Sequence, residues 1–549
     1  MKLQILLLVF GLVFNQLISQ ENEEKHFYVS IADASSLNIK QVGNGLISVS
    51  NKNDKTETAI YSKYKVFTFK TAYPNTDRDL FKTVYHIATN NEELFSELQK
   101  NYPKKYSRIF EIFPTPGAFF PNDYGNTSPV ENLANNYSSR DLDLINAAGA
   151  WGITKGDKKV IIGISDSPID SLNSDLDGKI IKNLYVYPAG RLASCYHGTN
   201  VASIAFARID NGYGRPGICG ECRGISGRYG TFKSIEDLVD AGAKVINASW
   251  ILCSMGPRSE EMNKRISEYY DDGIIIVAAA GNGADCNRDK STIGDKMYPA
   301  SFDKVISVSG IFAENQFVED GYFFQDNINY THRLSDRRNG FFIINEVGML
   351  NPTPIEDGVQ VNTSVDLVAP REGYLLGNEI CGKEVFFGGA TSSSAPYVAG
   401  TIGLMWSANY CLSSYEIESL LKLASADVEN LSGNTPFRGM MGAGRLDVYK
   451  AVKMANDMKD LKGNVLISNR DFYRFDFKIE RALNTITIEN QTFRENASVD
   501  FKARKAIILK PNTRLKPNDS TKIRLSIDPN ISTVECEPQP PKKYDRLYK

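Results

Sequence analysis

The sequence of 549 residues predicts an α/β protein whose central part is a mostly parallel, doubly wound sheet with helices on both faces. Two observations predict this fold. Short apolar runs rich in β-branched residues, at 160–164, 244–248 and 274–279, are typical of strands buried on both faces. Segments with helical spacing alternate with these runs, as they do in parallel sheets. A smaller α+β segment precedes this part, and a strand-rich β domain follows it.

Residues 1–20 are interpreted as a secretory signal peptide. Lys2 is followed by a mostly apolar run from Leu3 to Leu17, and small or polar residues come next. A retained membrane anchor is the alternative, although the run is shorter than the ~20 apolar residues that a span requires. No later stretch is long and apolar enough to span a membrane. We therefore expect a protein that is secreted or held at the cell surface, with no stable membrane span.

Residues 21–120 combine strand-like runs with one helix, predicted at about 91–101. Asn90 and Glu93 have the spacing of a capping box at the start of this helix. A small α+β unit between a signal peptide and a larger body is interpreted as a pro-segment. An N-terminal accessory domain is the alternative.

Residues 461–536 predict a small β-sandwich or β-sheet domain, because strand-like alternation continues there without helical segments. Residues 537–549 contain three prolines in their first five positions and predict a disordered tail.

Charge and cysteine content limit the partners and cofactors. The 63 Lys and Arg residues nearly balance the 65 Asp and Glu residues, which argues against nucleic acid or an anionic membrane as the main partner. The eight cysteines fit an exported protein, in which disulfides persist. Cys219 and Cys222 have the spacing of half a zinc site or of a redox pair. No second such pair exists and only four histidines are present, so disulfides are favoured and no metal site is assigned.

The candidate nucleophile is Ser392, within the stretch 389–400. A turn rich in Gly, Thr and Ser runs there into a segment with helical spacing, which puts the hydroxyl near the positive end of a helix dipole. This position suits a nucleophile whose attack generates an oxyanion, and an ordinary N-cap is the alternative. Pro396 is predicted to lie in the first turn, where its missing N–H leaves no bond unmade.

Acyl transfer by a serine also needs a base and a carboxylate that orients the base. The chain has four histidines that could be the base: His26, His86, His197 and His332. The first two belong to the presumed pro-segment and the last to a charged, loop-like stretch, so His197 is the candidate, with a structural histidine as the alternative. Asp166 and Asn282 follow two predicted strands of an open sheet, where sites are usually built.

Three stretches resemble the signature blocks of subtilisin-like serine proteases, the subtilases of peptidase family S8, in the family's order. They are Asp166-Ser-Pro, His197-Gly-Thr-Asn-Val-Ala-Ser and Ala390-Thr-Ser-Ser-Ser-Ala-Pro-Tyr-Val-Ala-Gly. Ala279-Ala-Gly-Asn-Gly resembles the family's oxyanion block, and Val245-Ile-Asn-Ala-Ser-Trp its substrate-pairing strand. The resemblance implies a subtilisin-like catalytic domain over 135–460.

The resemblance also implies a secreted serine endopeptidase that acts on polypeptides. It implies the following roles: nucleophile Ser392, base His197, orienting carboxylate Asp166, oxyanion donor Asn282, and substrate-binding residues Ser249, Trp250 and Gly281. The segment 21–120 would then be an intramolecular inhibitor, and we expect a monomer. Structural calcium is common in the family, but no block here has readable ligand spacing. Cys253 and Cys286 each follow a substrate-lining block, and we hypothesise that they form a disulfide.

Several positions depart from the family pattern. Pro168 and Ala390 replace usual glycines, which matters at Ala390 if its φ is positive. Ser393 replaces a Met and Tyr397 a His. One alternative is therefore a catalytically inactive binding or surface protein on the same fold. Another places the function in the C-terminal β domain, as an adhesive or surface-docking module.

Overall fold

A computed structural model of the chain describes residues 25–43, 45–71, 83–112, 117–125, 128, 138–170, 172–185, 195–282, 286, 293–313, 316–317, 324–325, 331, 359–376, 385–538 and 542–548. The chain divides into two compact units, residues 1–118 and residues 119–549.

The first unit contains an antiparallel sheet of six strands with two helices. The strands are β1 (Lys25–Ile31), β2 (Leu37–Val42), β3 (Leu46–Asn51), β4 (Val66–Thr71), β5 (Val84–Thr89) and β6 (Tyr106–Ile112), and the helices are α1 (Lys55–Ser62) and α2 (Glu93–Asn101). The strand order is β2-β3-β4-β5-β1-β6. The core beneath the sheet includes Phe27, Val29, Ile87 and Leu94.

Helix α2 confirms the helix predicted at 91–101, but its start differs from the prediction. The Asn91 side chain, not Asn90, accepts a hydrogen bond from the Glu93 backbone N–H at 2.9 Å. Asn90 instead accepts a hydrogen bond from the Lys65 backbone N–H at 2.9 Å, which ties the start of the helix to the neighbouring strand region. The tertiary contact thus takes precedence over the local cap.

The central sheet of the second unit has seven parallel strands, in the order β15-β12-β11-β10-β7-β9-β8. The strands are β7 (Ile161–Ser165), β8 (Ile180–Asn183), β9 (Arg223–Ser226), β10 (Val245–Ala248), β11 (Ile275–Ala279), β12 (Val305–Ile311) and β15 (Leu367–Pro370). Two antiparallel pairs lie outside this sheet: β13 (Gln316–Phe317) with β14 (Phe324–Gln325), and β16 (Glu372–Leu376) with β17 (Val385–Gly389). The predicted parallel sheet is confirmed.

Helices cover both faces of this sheet. They are α3 (Arg140–Leu144), α4 (Ala147–Trp151), α5 (Cys195–Phe206), α6 (Phe232–Asp240), α7 (Ser259–Asp271), α8 (Thr391–Ala408), α9 (Ser414–Ala424) and α10 (Val448–Lys459). Ile246 and Ile276 pack with α6 and α7 on one face, whereas Gly403 of α8 lies against Ile162 on the other. Helix α8 is buried on almost every side, as expected of a helix without a polar face.

The predicted C-terminal β domain is confirmed. Of the two forms expected, a β-sandwich or a β-sheet domain, the sandwich is wrong, because the strands form a parallel β-solenoid of three coils. The strands are β18 (Asn464–Ser468), β19 (Asp471–Phe472), β20 (Asp476–Ala482), β21 (Thr485–Glu489), β22 (Thr492–Glu495), β23 (Ser498–Ala503), β24 (Ala506–Leu509), β25 (Arg514–Pro517) and β26 (Ile523–Ile527). Each coil adds one strand to each of three parallel sheets, β18-β21-β24, β19-β22-β25 and β20-β23-β26. Every strand therefore pairs with the next coil and not with its neighbour in sequence.

Stacked asparagines and phenylalanines keep the coils in register. Asn469, Asn490 and Asn512 all have positive φ, a conformation that asparagine tolerates better than most residues. The Asn490 side-chain amide donates to Asn469 Oδ1 at 2.8 Å, one coil below. Phe472 and Phe493 stack inside with ring centroids 5.9 Å apart. Side chains at equivalent positions of successive coils thus contact each other.

Residues 542–548 are ordered against α6 and the end of α7, so the prediction of a disordered tail over 537–549 is wrong for this part. Arg546 forms an ion pair with Asp240 at 2.6 Å, and the Tyr544 hydroxyl donates to Asp272 at 2.8 Å. Acidic side chains of α6 and of the end of α7 thus hold a basic and aromatic segment that directly follows the proline-rich residues from which disorder was predicted.

Three disulfides are present among the described residues. The Cys253–Cys286 bond confirms the hypothesis made from the sequence, and Cys411–Cys536 links the segment after α8 to the segment after the solenoid. Cys219 and Cys222 are bonded to each other, which excludes zinc binding by this pair in this state. In the described part of the chain, no helix has the length and apolarity needed to cross a membrane.

Candidate active site

The candidate residues stand at the carboxyl edge of the central sheet or at helix starts beside it. Asp166 directly follows β7, and Asn282 follows β11 by three residues. His197 is the third residue of α5, and Ser392 is the second residue of α8. Helices α5 and α8 pack against each other. Of the other histidines, His86 lies on β5 of the first unit, and His332 lies outside the described residues.

Asp166 and His197 are joined by a short hydrogen bond between Asp166 Oδ1 and His197 Nδ1, at 2.6 Å. The Asp166 side chain is fully buried, whereas the imidazole is 41% exposed. Burial by itself would lower the pKa of His197, but the hydrogen bond and the charge of Asp166 outweigh it and raise the pKa. The pair is thus arranged to stabilise an imidazolium.

The loop after Asp166 is locked to the start of α5 despite the proline. The Ser167 backbone N–H donates to Asp166 Oδ1 at 2.6 Å, and the Gly198 N–H donates to Ser167 Oγ at 2.8 Å. A Cβ on Gly198 would lie 2.1 Å from the Ser167 carbonyl oxygen, so only glycine fits there. Pro168 is accommodated in this loop with the Asp166–His197 bond intact.

Ala390 fits its position without strain. It is the N-cap of α8 and has φ −149° and ψ 166°, an extended conformation that any residue adopts. The missing glycine therefore does not distort the approach to Ser392.

The Ser392 hydroxyl donates to the backbone carbonyl of Ser249 at 3.4 Å. Among the described side chains, no hydrogen bond joins Ser392 to His197. Catalytic hydrogen bonds are often long or unformed before the substrate binds, because the substrate completes the geometry.

Pro396 is the sixth residue of α8, so the prediction that it lies in the first turn is wrong. An ordinary residue there would donate its N–H to the Ser392 carbonyl. The Ser249 hydroxyl donates to that carbonyl instead, at 2.8 Å, and itself accepts from the Asn247 side-chain amide at 2.8 Å. The Ser249 hydroxyl thus supplies the hydrogen bond that the proline cannot make, and it does so to the backbone carbonyl of the candidate nucleophile.

Asn282 is oriented by Thr391, a residue that the sequence reading does not single out. Both the Thr391 backbone N–H and its hydroxyl donate to Asn282 Oδ1, each at 3.0 Å. Since the carboxamide oxygen is held on this side, the donating Nδ2 is at the other end of the group. The position of Thr391, immediately before Ser392, is the signal that could have identified it.

Gly281 and Trp250 lie in the region of the candidate site, but neither has a side chain that lines its surface. Gly281 has φ 111°, and a Cβ on it would lie 2.2 Å from Met297 Sδ. Its N–H donates to the Thr391 hydroxyl at 3.2 Å, so it shapes the turn that carries Asn282. The Trp250 indole is 2% exposed and donates to Ser165 Oγ at 3.0 Å, which leaves only its backbone for a contact with substrate.

Tyr229 and Tyr397 also support the site, and the sequence reading assigns neither a role. The Tyr229 ring lies edge-on to the His197 imidazole, with centroids 6.4 Å apart, and is half exposed. The Tyr397 hydroxyl is buried and forms a hydrogen bond with Asp141, and its oxygen lies 2.9 Å from the Glu372 carbonyl oxygen. The buried hydroxyl of Tyr397 is thus satisfied by hydrogen bonding.

No group of three or more His, Cys, Asp or Glu side chains is placed to hold a metal ion in the described part of the chain. Two carboxylates of the second unit, those of Asp123 and Asp175, are buried. Burial raises the pKa of Asp123 to about 6 and that of Asp175 to about 7. Each accepts a backbone N–H, from Asp210 at 3.2 Å and from Arg215 at 2.8 Å respectively. Structural calcium stays an expectation from the resemblance.

The chain is similar to known serine proteases. It is 27% identical over 396 residues to a thermophilic serine proteinase of Bacillus sp. strain AK1, an alignment that covers 70% of this chain and 81% of the relative. It is 28% identical to the halolysin-like extracellular serine protease Nep of Natrialba magadii, covering 58% of this chain and 51% of that protein. It is 26% identical to the cell wall-associated protease of Bacillus subtilis strain 168, covering 57% and 33%.

The family model of the subtilases, peptidase S8, matches residues 157–444, which is more than half of the chain. The match spans the central sheet, Asp166 at the end of β7, and the helices that carry His197 and Ser392. The chain therefore belongs to the subtilase family and is a serine-type endopeptidase.

Proposed function

We propose that the protein is an exported endopeptidase that cleaves polypeptides through the triad Asp166, His197 and Ser392. The observation that carries this proposal is the 2.6 Å hydrogen bond between the buried Asp166 and His197, on a helix packed against the helix of Ser392. Such a pair fixes the tautomer of the imidazole, because Nδ1–H donates to the carboxylate and Nε2 keeps a lone pair for the serine proton.

Acylation proceeds by attack of Ser392 Oγ on the carbonyl carbon of the scissile bond. The hydroxyl turns from the Ser249 carbonyl to His197 as the substrate binds, and Nε2 takes its proton. The C–N bond then breaks, and the imidazolium gives this proton to the leaving amine. Asp166 stays ionised throughout and stabilises the imidazolium by charge and hydrogen bonding.

The negative oxygen of the tetrahedral intermediate is stabilised by the Asn282 Nδ2 donor and by the Ser392 backbone N–H. The N-terminal dipole of α8, a helix of 18 residues, adds positive potential at the same place. A water molecule then attacks the acyl-enzyme with His197 as base, which releases the acid product and restores the Ser392 hydroxyl.

Replacing Asn282 by Ala will lower kcat by roughly 10²–10³-fold, the loss known for the oxyanion donor of subtilisin, with KM little changed. Thr391→Val keeps the shape of the side chain but removes one of the two hydrogen bonds that orient Asn282. It will lower kcat by a smaller factor. Initial rates on a peptide anilide measure both. If Asn282→Ala raised KM and left kcat unchanged, Asn282 would bind substrate and not the oxyanion.

Replacing Ser249 by Ala will leave the Ser392 carbonyl and the Asn247 amide without their partner, and the free energy of unfolding will fall by about 1–3 kcal/mol. The same change made in a Pro396→Ala background will cost less, since an alanine at that position supplies the N–H that proline lacks. Ser407→Ala, which removes an ordinary hydroxyl-to-Gly403 bond in the same helix, is the control. Equal losses in both backgrounds, measured by denaturant unfolding, would contradict the role given to Ser249.

Residues 21–120 are proposed to be a pro-segment that inhibits the enzyme and is removed by it. The support is a compact N-terminal unit, residues 1–118, followed by the catalytic domain. Purified wild-type and Ser392→Ala proteins should differ in their N-termini: the wild type will begin near residues 120–140, and the variant will retain the segment. If both proteins keep the segment, self-maturation is wrong.

Export is proposed from two findings of different kinds. Two relatives are described as extracellular and cell wall-associated proteases. Residues 1–20 have the composition of a signal peptide. Fractionation of the producing cells, with residues 1–20 present or deleted, tests export: without them the protein will stay inside.

A binding protein on the same fold is the second candidate, because the Ser392 hydroxyl bonds to Ser249 and not to His197. Such a protein would hold peptides without cutting them. Mass spectrometry of a peptide mixture before and after incubation separates the two functions, since an endopeptidase yields new internal termini that the Ser392→Ala variant does not produce.

A further inference from the structure

Residues 542–548 form a segment, here called the C-terminal strap, that crosses α7 and α6. At one end, Lys542 and the Tyr544 hydroxyl contact the Asp272 carboxylate at 2.9 and 2.8 Å. The Tyr544 ring packs on that of Tyr269, with centroids 4.7 Å apart. At the other end, Tyr548 reaches a pocket of the catalytic domain.

A buried carboxylate anchors the end of the strap. Glu236 is 2% exposed and accepts the backbone N–H groups of Leu547 and Tyr548, at 2.8 and 3.2 Å. Arg258 donates to the Leu547 carbonyl at 2.8 Å. Exposed ion pairs such as Arg546 with Asp240 contribute little, but hydrogen bonds to a buried charge are strong. The position of Tyr548 is therefore set mainly by Glu236.

The pocket has a volume of about 470 Å³, and most of its lining is apolar. Its walls include Leu184, Phe232, Leu252, Met255, Met262 and Tyr548. The Tyr548 and Phe232 rings have centroids 6.2 Å apart, and the Tyr548 hydroxyl lies 4.0 Å from Met262 Sδ. The strap thus adds an aromatic wall to a pocket that the catalytic domain forms on its other sides.

Two segments of chain connect the pocket lining to the proposed active site. Arg228 lines it, and the next residue, Tyr229, lies edge-on to the His197 imidazole. Leu252 also lines it, three residues after Ser249, whose carbonyl accepts the Ser392 hydroxyl. The segments that line this side of the pocket therefore continue to residues in contact with His197 and Ser392.

We infer that the C-terminal strap determines specificity, with Tyr548 forming part of the pocket that accepts an apolar side chain of the substrate. This inference rests on the proposed function, because the occupant of the pocket is a residue of the polypeptide being cleaved. A strap that only stabilises α6 and α7 would not change the relative rates of two substrates.

The experiment uses two sets of fluorogenic peptides that differ only by Phe or Ala at one position at a time on the acyl side of the scissile bond. At the position that occupies the pocket, the wild-type enzyme will prefer Phe. Tyr548→Ala will lower the Phe-to-Ala ratio of kcat/KM there by about tenfold, since an apolar wall is lost. Glu236→Ala, which releases the strap without altering a pocket-lining side chain, will change the ratio in the same direction.

Two further variants test the mechanism. Tyr548→Phe keeps the ring and will retain most of the wild-type ratio. Lys543→Ala changes an exposed residue of the strap that makes none of the contacts described above, and it will keep the ratio unchanged. If Tyr548→Ala is active and keeps the wild-type ratio at every position, the inference is wrong.

Binding of the same peptides to Ser392→Ala separates this inference from the proposed function. Calorimetry on Ser392→Ala with and without Tyr548→Ala measures the preference for Phe in the absence of cleavage. A preference that depends on Tyr548 in a protein that cuts no peptide would overturn the catalytic proposal and support the strap. Cleavage together with a preference independent of Tyr548 would overturn the strap alone, and neither binding nor cleavage would overturn both.

Discussion

Replacing Ser392 by Ala will lower kcat on a polypeptide substrate by a factor on the order of 10⁶, the loss known for the equivalent change in subtilisin. The alanine removes the only atom that attacks the carbonyl, while the Ser392 backbone N–H stays in place. The fold will persist, because the hydroxyl makes a single 3.4 Å hydrogen bond, to the Ser249 carbonyl. Progress curves with casein, compared with thermal unfolding of both proteins, measure the two effects separately.

A matched control for this change is Ser393→Ala, the adjacent serine on the same helix. Its side chain is buried and has no role in the proposed chemistry, so the effect will be on stability and not on kcat. If Ser392→Ala kept more than about one hundredth of the wild-type kcat, another residue would have to be the nucleophile.

Replacing Asp166 by Asn will lower kcat by about 10⁴-fold, because the amide can hold the imidazole in the wrong tautomer and cannot stabilise the imidazolium by charge. The pH dependence gives a second, independent result. In the wild type, burial opposes and Asp166 favours protonation of His197, and the net pKa is raised. Since only the neutral imidazole is a base, activity rises as the pH passes upward through this pKa.

The loss of the Asp166 charge will therefore move the acidic limb of the kcat/KM profile of Asp166→Asn to lower pH than in the wild type. Rates from pH 4 to 9 at constant ionic strength measure this shift. A variant with unchanged kcat, or with an acidic limb at higher pH, would show that Asp166 does not govern His197.

The central sheet and the pair Asp166–His197 could be predicted from the sequence because the signals there are local. Strands such as β10 and β11 are buried on both faces, so their residues are apolar without alternation. The stretches that resemble the family's oxyanion and triad blocks are contiguous motifs at strand or helix ends. Spacing alone could not predict the 3.4 Å bond of Ser392 to Ser249, which depends on the approach of two distant segments.

Neither the solenoid nor the C-terminal strap could be predicted from local sequence patterns, for physical reasons. Strands such as β20 and β23 alternate buried and more exposed side chains over most of their length, as strands do whether their partners are parallel or antiparallel. Alternation therefore does not distinguish a solenoid from a sandwich. The recurrence of Asn469, Asn490 and Asn512 at nearly constant intervals is the signal of stacked coils. The strap is ordered by Glu236, which lies more than 300 residues away in sequence.

Pro396 shows that a motif can be recognised from the sequence although its local geometry is predicted wrongly. The stretch 389–400 contains the proposed nucleophile, but the start of α8 depends on the extended Ala390 and not on the proline. The hydrogen bond lost at Pro396 is replaced by the Ser249 hydroxyl, from a different strand segment. The sequence alone does not show that Ser249 supplies this hydrogen bond.

Covalent labelling with a fluorophosphonate tests the central claim most directly, because the reagent reacts with a serine only when a base and an oxyanion site activate it. Wild type, His197→Ala and Ser392→Ala are each incubated with the probe, digested and mapped by mass spectrometry. We expect one modified residue in the wild type, Ser392, with labelling abolished in Ser392→Ala and strongly slowed in His197→Ala. An unlabelled wild type, or equal labelling of all three proteins, would contradict the triad.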